Sequence, residues 1–304
     1  MFRILAKTGV VGLISFVLLN VLSYAALKNV RINFFINPVP VGSEVYTAIN
    51  LSKELYPDRK IIILGDSVAY QLFTCGLNDR VNAINLTCNQ AISLAGHFIL
   101  LTNALKQNQH VSKVYLLYHV GSFSNDLDQE WTYNYFVKPF YGTYHDYFST
   151  KTRSKIDAGF LGNSYLLPIT KVLPCFESTD YSVINKLQKN VSAMSPTSVE
   201  YLILIYKLCQ QYKIVFKIIS VPTSSKTLQE YSGLKRKLFE KKINECMLDT
   251  LFVDYFTSML VLNGDFFKDG IHFKAEYVKP VSVLLADHVG LLTAESAQKH
   301  WQSK

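Results

Sequence analysis

The chain has 304 residues, enough for one large domain or two small ones. Hydrophobic residues make up 49% and charged residues 18%, which excludes a disordered chain and allows a sizeable core. The net charge of +8 is scattered, and its densest cluster, Lys235-Arg236-Lys237 with Lys241-Lys242, falls on a predicted helix without interleaved aromatics. A solvated face is therefore the favoured reading and an anionic membrane surface the second, and no nucleic-acid partner is expected.

Gly9 to Leu27 is apolar apart from Ser15, Asn20, Ser23 and Tyr24. That is long enough for one membrane span, which takes ~20 residues. Arg3 and Lys7 precede it, and Lys28 and Arg31 follow, so the charge bias gives orientation only a weak vote. Residues 1–28 are read as an uncleaved signal anchor, a transmembrane helix at the cell membrane. The bulk of the protein then lies outside the cytoplasm, periplasmic or at the cell surface. A cleaved signal peptide ending near Ser23-Tyr24-Ala25 is the second reading, and a buried helix the third. Residues 29–58, with Pro38, Pro40 and Gly42, read as a stalk that carries a short helix near Ala48–Leu55.

From residue 59 to 304 a single α/β domain is predicted. Strands are expected at Ile61–Leu64, Val81–Leu86, Val114–Tyr118, Ile214–Ser220 and Leu251–Asp254. Helices are expected at Val68–Cys75, Ser93–Gln107, Ser198–Gln211, Leu228–Met247 and Ala275–Leu292. The alternation implies five parallel strands joined by right-handed crossovers, in a flavodoxin-like order with the first strand central. The stretch between the third and fourth strands exceeds one crossover, so an insertion or lid is read around residues 119–195. It holds nine aromatic rings between Trp131 and Phe148. Core packing or a lid accounts for these. The sharper reading is a sugar-stacking platform that includes Trp131, Tyr133 and Tyr135.

The cysteines form no C-x-x-C pair, and no histidine stands at ligand spacing from one, so no metal site is expected. Lone thiols are the plain reading, and a Cys75–Cys88 bridge stays open.

The apolar run Ile61-Ile62-Ile63-Leu64 stops at Gly65-Asp66-Ser67, and a helix follows. A serine hydroxyl then sits at the carboxyl edge of a buried strand, where open α/β sheets place their ligands. Near the C-terminus comes Asp269-Gly270-Ile271-His272. Serine needs a base, an orienting group and oxyanion donors to act as a nucleophile. Ser67 supplies the hydroxyl, His272 the base and Asp269 the orienting carboxylate, with the Ser67 amide as one oxyanion donor. The structural alternative is a turn with Asp66 or Ser67 capping the helix. His119 ends the third predicted strand and lines the cleft or packs as a core histidine. No Gly-x-Ser-x-Gly occurs, which argues against the α/β-hydrolase fold.

These blocks resemble those of the SGNH, or GDSL-like, hydrolases and acyltransferases over residues 60–290. Gly65-Asp66-Ser67 is similar to the family's first block and Asp269-x-x-His272 to its last. Gly96 is the best match to the glycine of the second block. Asn125, in Gly121-Ser122-Phe123-Ser124-Asn125-Asp126, matches the asparagine of the third with a wider gap. The resemblance implies a three-layer α/β/α sandwich, an oxyanion hole of Ser67, Gly96 and Asn125, and no cofactor. It also implies a serine esterase or O-acyltransferase acting on acyl, above all acetyl, esters of cell-envelope glycans. A membrane acyltransferase is an expected partner. The alternative is a catalytically inactive envelope protein of the same fold that binds glycan or that partner.

Overall fold

The computed structural model describes residues 2–29, 43–77, 81–89, 92–127, 132–156, 194–253, 255–257 and 259–291. They fall into two compact units. The first takes residues from Met1–Ser43 and Leu127–Tyr181, and the second from Glu44–Asp126 and Ser182–Lys304.

In the first unit, Phe2–Asn29 is one helix. Large apolar side chains from Val10 to Leu22 are exposed on it. Among the described residues no helix is long and apolar enough to cross a membrane. The transmembrane reading of Gly9–Leu27 therefore finds no support in the fold. The aromatic stretch forms a π-helical turn, Tyr133–Val137, then the helix Lys138–Tyr144. Its rings pack on one another: Phe136 lies against Phe140 and Phe148, and Tyr141 against Phe148. Phe136, Phe140, Tyr141 and Phe148 are buried, so their first role is core packing.

The second unit is an α/β fold. In chain order it contains α1 (Ser43–Leu51), β1 (Ile61–Gly65), α2 (Ser67–Tyr70), β2 (Ile84–Thr87), α3 (Ser93–Gln107), β3 (Lys113–Tyr118), α4 (Pro196–Gln211) and β4 (Val215–Ser220). A short β5 (Thr223–Ser224), α5 (Ser225–Tyr231), α6 (Leu234–Glu245), β6 (Val261–Leu262) and α7 (Ala275–His288) follow. The main sheet is all parallel, in the order β2-β1-β3-β4. The chain therefore reverses its direction of winding beside β1, which opens a crevice at the carboxyl ends of β1 and β3.

At β1 and β3 both faces of the sheet are buried, which explains their unbroken apolar runs, whereas the first half of the edge strand β4 is open and carries Lys217. Ile63, Tyr115, Leu117 and Ile219 share one core with Val68 and Leu72 and with Val278, Val281 and Leu285 of α7. Successive strand residues alternate between faces. Tyr118 accordingly points the other way and sets its ring edge-on to His97 of α3.

The main sheet has four strands rather than five. The predicted fifth, Leu251–Asp254, instead makes a 3-10 turn at Asp249–Leu251, and Asp254 lies outside the described residues. The amides of Leu251, Phe252 and Tyr255 bond to carbonyls three residues back, not across a ladder. Phe252 is held in a ring cluster with Phe123, Phe239 and Tyr255. Aromatic packing thus decides the local backbone there. Two-residue strands β5 and β6 pair separately. Cys88 is a free buried thiol, so no Cys75–Cys88 bridge forms.

Candidate active site

At Gly65, the last residue of β1, a Cβ would stand 2.7 Å from the Leu117 carbonyl oxygen and collide with Ala69. Only glycine lets α2 start so close to the strand end. Asp66 is fully buried and caps α2. Its Oδ1 accepts the amides of Val68 and Ala69 at 3.1 and 3.4 Å. Its Oδ2 accepts the His119 amide and the Ser122 hydroxyl, each at 2.7 Å. Four donors offset the burial of one carboxylate and tie the end of β1 to the turn after β3. The cap takes the amides after Ser67, not the amide of Ser67 itself.

Ser67 opens α2 with its hydroxyl toward His272: Oγ and Nε2 are 2.9 Å apart, across 205 sequence positions. On the other side of the ring, Nδ1 faces Asp269 Oδ2 at 2.8 Å. Asp269 Oδ1 accepts the amides of Ile271 and His272 at 3.0 and 2.7 Å, which fixes the carboxylate in a tight turn. Gly270 makes that turn with φ of +86°. The loop is closed by the Lys268 amide bonding the His272 carbonyl and by the tilted, packed rings of Phe267 and Phe273. Burial alone would raise the Asp269 carboxyl, but hydrogen bonds from the His272 side chain and amide outweigh it and hold it well below the ordinary range.

Ser67, Asp269 and His272 therefore form one hydrogen-bonded chain. With the proton of Nδ1 directed to Asp269, Nε2 is free to take a proton from the serine hydroxyl.

The remaining expected residues fare differently. Gly96 is buried as the fourth residue of α3, where an amide bonds the carbonyl four positions back, so it does not stand free as a donor. Asn125 follows the 3-10 turn Val120–Ser124 and is buried, and its carbonyl accepts the hydroxyls of Ser195 and Ser198 at 2.7 and 3.3 Å. Its main chain thus anchors the start of α4. Trp131 lies outside the described residues, Tyr133 belongs to the π-helical turn, and Tyr135 is half-buried. Among the described residues no group of acidic, histidine or cysteine side chains is arranged to hold a metal.

His119 is buried at the end of β3. Its Nδ1 accepts the Gly121 amide at 3.0 Å, which places the ring proton on Nε2. Burial lowers its pKa, the Asp66 carboxylate opposes that shift, and the His272 ring adds to it. Two contributors escaped sequence reasoning. Ser122 donates to Asp66, and Gln71 bonds the main chain of Phe273 on both sides. Neither leaves a signal in the sequence, because each partner is far away along the chain.

No family model matches the chain, and no curated protein matches it. Among solved structures, one from Streptococcus pneumonia, described provisionally as a platelet activating factor, is similar over 81% of this chain and 91% of its own, at 12% identity and a TM-score of 0.38. At that level the likeness carries no argument about fold or activity.

Proposed function

We propose that the protein is a serine esterase or O-acyltransferase of the SGNH type. Ser67 attacks an acyl ester while its proton passes to His272 Nε2. The tetrahedral intermediate collapses as His272 returns the proton to the leaving alcohol. Water or a second hydroxyl then takes the acyl group from Ser67. Asp269 keeps the imidazole in the required tautomer and stabilises its charged form. The Ser67 amide serves as one oxyanion donor, and Asn125 is proposed as a second.

The observation that carries this reading is the unbroken hydrogen-bonded chain Ser67–His272–Asp269 at the carboxyl end of β1. A structural account of both motifs, with a capped helix and a tight turn, does not require the serine hydroxyl and imidazole to meet. A three-layer sandwich around the four-stranded sheet belongs to the same proposal, supported by helical packing on both faces. So does an acetylated envelope glycan as substrate, which rests on the family resemblance. A location at a membrane is supported by the exposed apolar side chains from Val10 to Leu22, and sedimentation with membranes tests it.

A fluorophosphonate probe tests the chemistry. Wild type is expected to carry the adduct on Ser67, and Ser67→Ala and His272→Ala to lose it while keeping their fold. A folded wild type that does not react contradicts the reading. It would favour a binding protein that has kept the fold, for which the helical position of Gly96 is the observation in favour.

A further inference from the structure

The segment after Ser67 does not continue as an ordinary helix. From Gln71 to Leu77 it is π-helical, a wider turn that often marks functional positions. Its first residue, Gln71, reaches the loop that holds His272. The Gln71 Nε2 donates to the Phe273 carbonyl at 2.9 Å, and Oε1 accepts the Phe273 amide at 2.9 Å, across 202 positions. Two opposed hydrogen bonds to one peptide residue fix its orientation as well as its distance. That residue directly follows His272. A second contact joins the same segment to α7 but bypasses the loop: the Ser282 hydroxyl shares its one proton between the Val278 carbonyl of its own helix at 2.6 Å and the Leu72 carbonyl at 2.8 Å.

We propose that Gln71 is a positioning residue, which sets the reach and orientation of His272 relative to Ser67 through the main chain of Phe273. The proposal deepens the reading of Ser67 and His272 as nucleophile and base, and rests on it. The loop is ordered internally by Asp269, which fixes the imidazole relative to the loop. It still has to be set against the helix that carries the serine. The Gln71 clamp does this from within the serine's own segment, four residues on. Proton transfer from Ser67 needs the 2.9 Å contact, whereas ester binding does not. Loss of the clamp should therefore appear in kcat and not in KM.

The test compares Gln71→Ala, Gln71→Glu and Ser282→Ala in the full chain. It measures the rate of Ser67 labelling by a fluorophosphonate, kcat and KM for p-nitrophenyl acetate, and Tm. Gln71→Ala is expected to slow labelling and kcat by about 10²-fold, the scale of a ~1 Å misplacement, with little change in KM. Gln71→Glu keeps the acceptor for the Phe273 amide and loses the donor, so it should fall between. Ser282→Ala should lower Tm and leave the labelling rate unchanged, which separates positioning from mere stability. If Gln71→Ala does not fold, the comparison of Gln71→Glu with Ser282→Ala decides in the same way. A Gln71 variant that reacts at the Ser282→Ala rate overturns the proposal while leaving the nucleophile reading intact. An unreactive wild type overturns both.

Discussion

The Asp66 carboxylate accepts the His119 main-chain amide at 2.7 Å, so the residue before Ser67 is bonded across the sheet to the end of β3. The same carboxylate caps α2 and takes the Ser122 hydroxyl. Asp66→Ala strands four donors, three of them main-chain amides. It is expected to lower unfolding stability by about 3–5 kcal/mol. Asp66→Asn restores one acceptor but sets an amide group against the other donors, so it should recover only part. Urea unfolding checks both, and midpoints equal to wild type would contradict the account.

Gly65→Ala forces a methyl group against the Leu117 carbonyl and Ala69. The backbone on both sides is regular strand and helix and gives little, so a loss of at least ~1–3 kcal/mol is expected. Thermal unfolding measures it.

His97 is fully buried with no hydrogen-bond partner for either ring nitrogen among the described residues, and burial lowers its pKa to about 3. The unfolded chain binds a proton there below about pH 6.5, while the folded chain stays neutral. The His97 contribution to stability is thus steady above about pH 6.5 and falls as pH drops below it, by up to ~1.4 kcal/mol per unit. His119, whose pKa is also lowered, acts in the same direction. Asp269 adds to the loss at lower pH: its depressed carboxyl contributes stability above the unfolded carboxylate pKa, and this is lost as pH falls through the folded one. His97→Phe should flatten the slope between about pH 6.5 and about pH 4, as measured by urea midpoints.

Asp269→Asn keeps an oxygen for the turn amides but presents an amide nitrogen to His272 Nδ1. The ring proton then moves to Nε2, and the base faces the wrong way. A fall in kcat of about 10²–10⁴-fold is expected, with little change in Tm. Steady-state kinetics and thermal unfolding together check this.

The parts that were legible in the sequence are those set by local rules. The β1 and β3 runs are short, continuous and apolar because both sheet faces are covered there. The Gly65-Asp66-Ser67 turn and the Asp269–His272 turn each carry their own chemistry in adjacent residues. The fifth strand was misread because Leu251-Phe252-Val253 has strand composition, whereas ring packing on Phe252 bends its backbone. Gly96 lies in the helix expected over Ser93–Gln107, and helical placement alone does not tell in sequence which main-chain amides are already bonded. Gln71 and Ser122 were invisible, since their roles come from partners that only the fold brings near.

The central claim is that Ser67 becomes covalently acylated with His272 as its base. The most direct measurement is peptide mapping of enzyme quenched in acid during turnover of p-nitrophenyl acetate. The account predicts an acetyl group on the Ser67 peptide in wild type and none in His272→Ala. Acetyl on another residue, or turnover with no acylated Ser67, would contradict it.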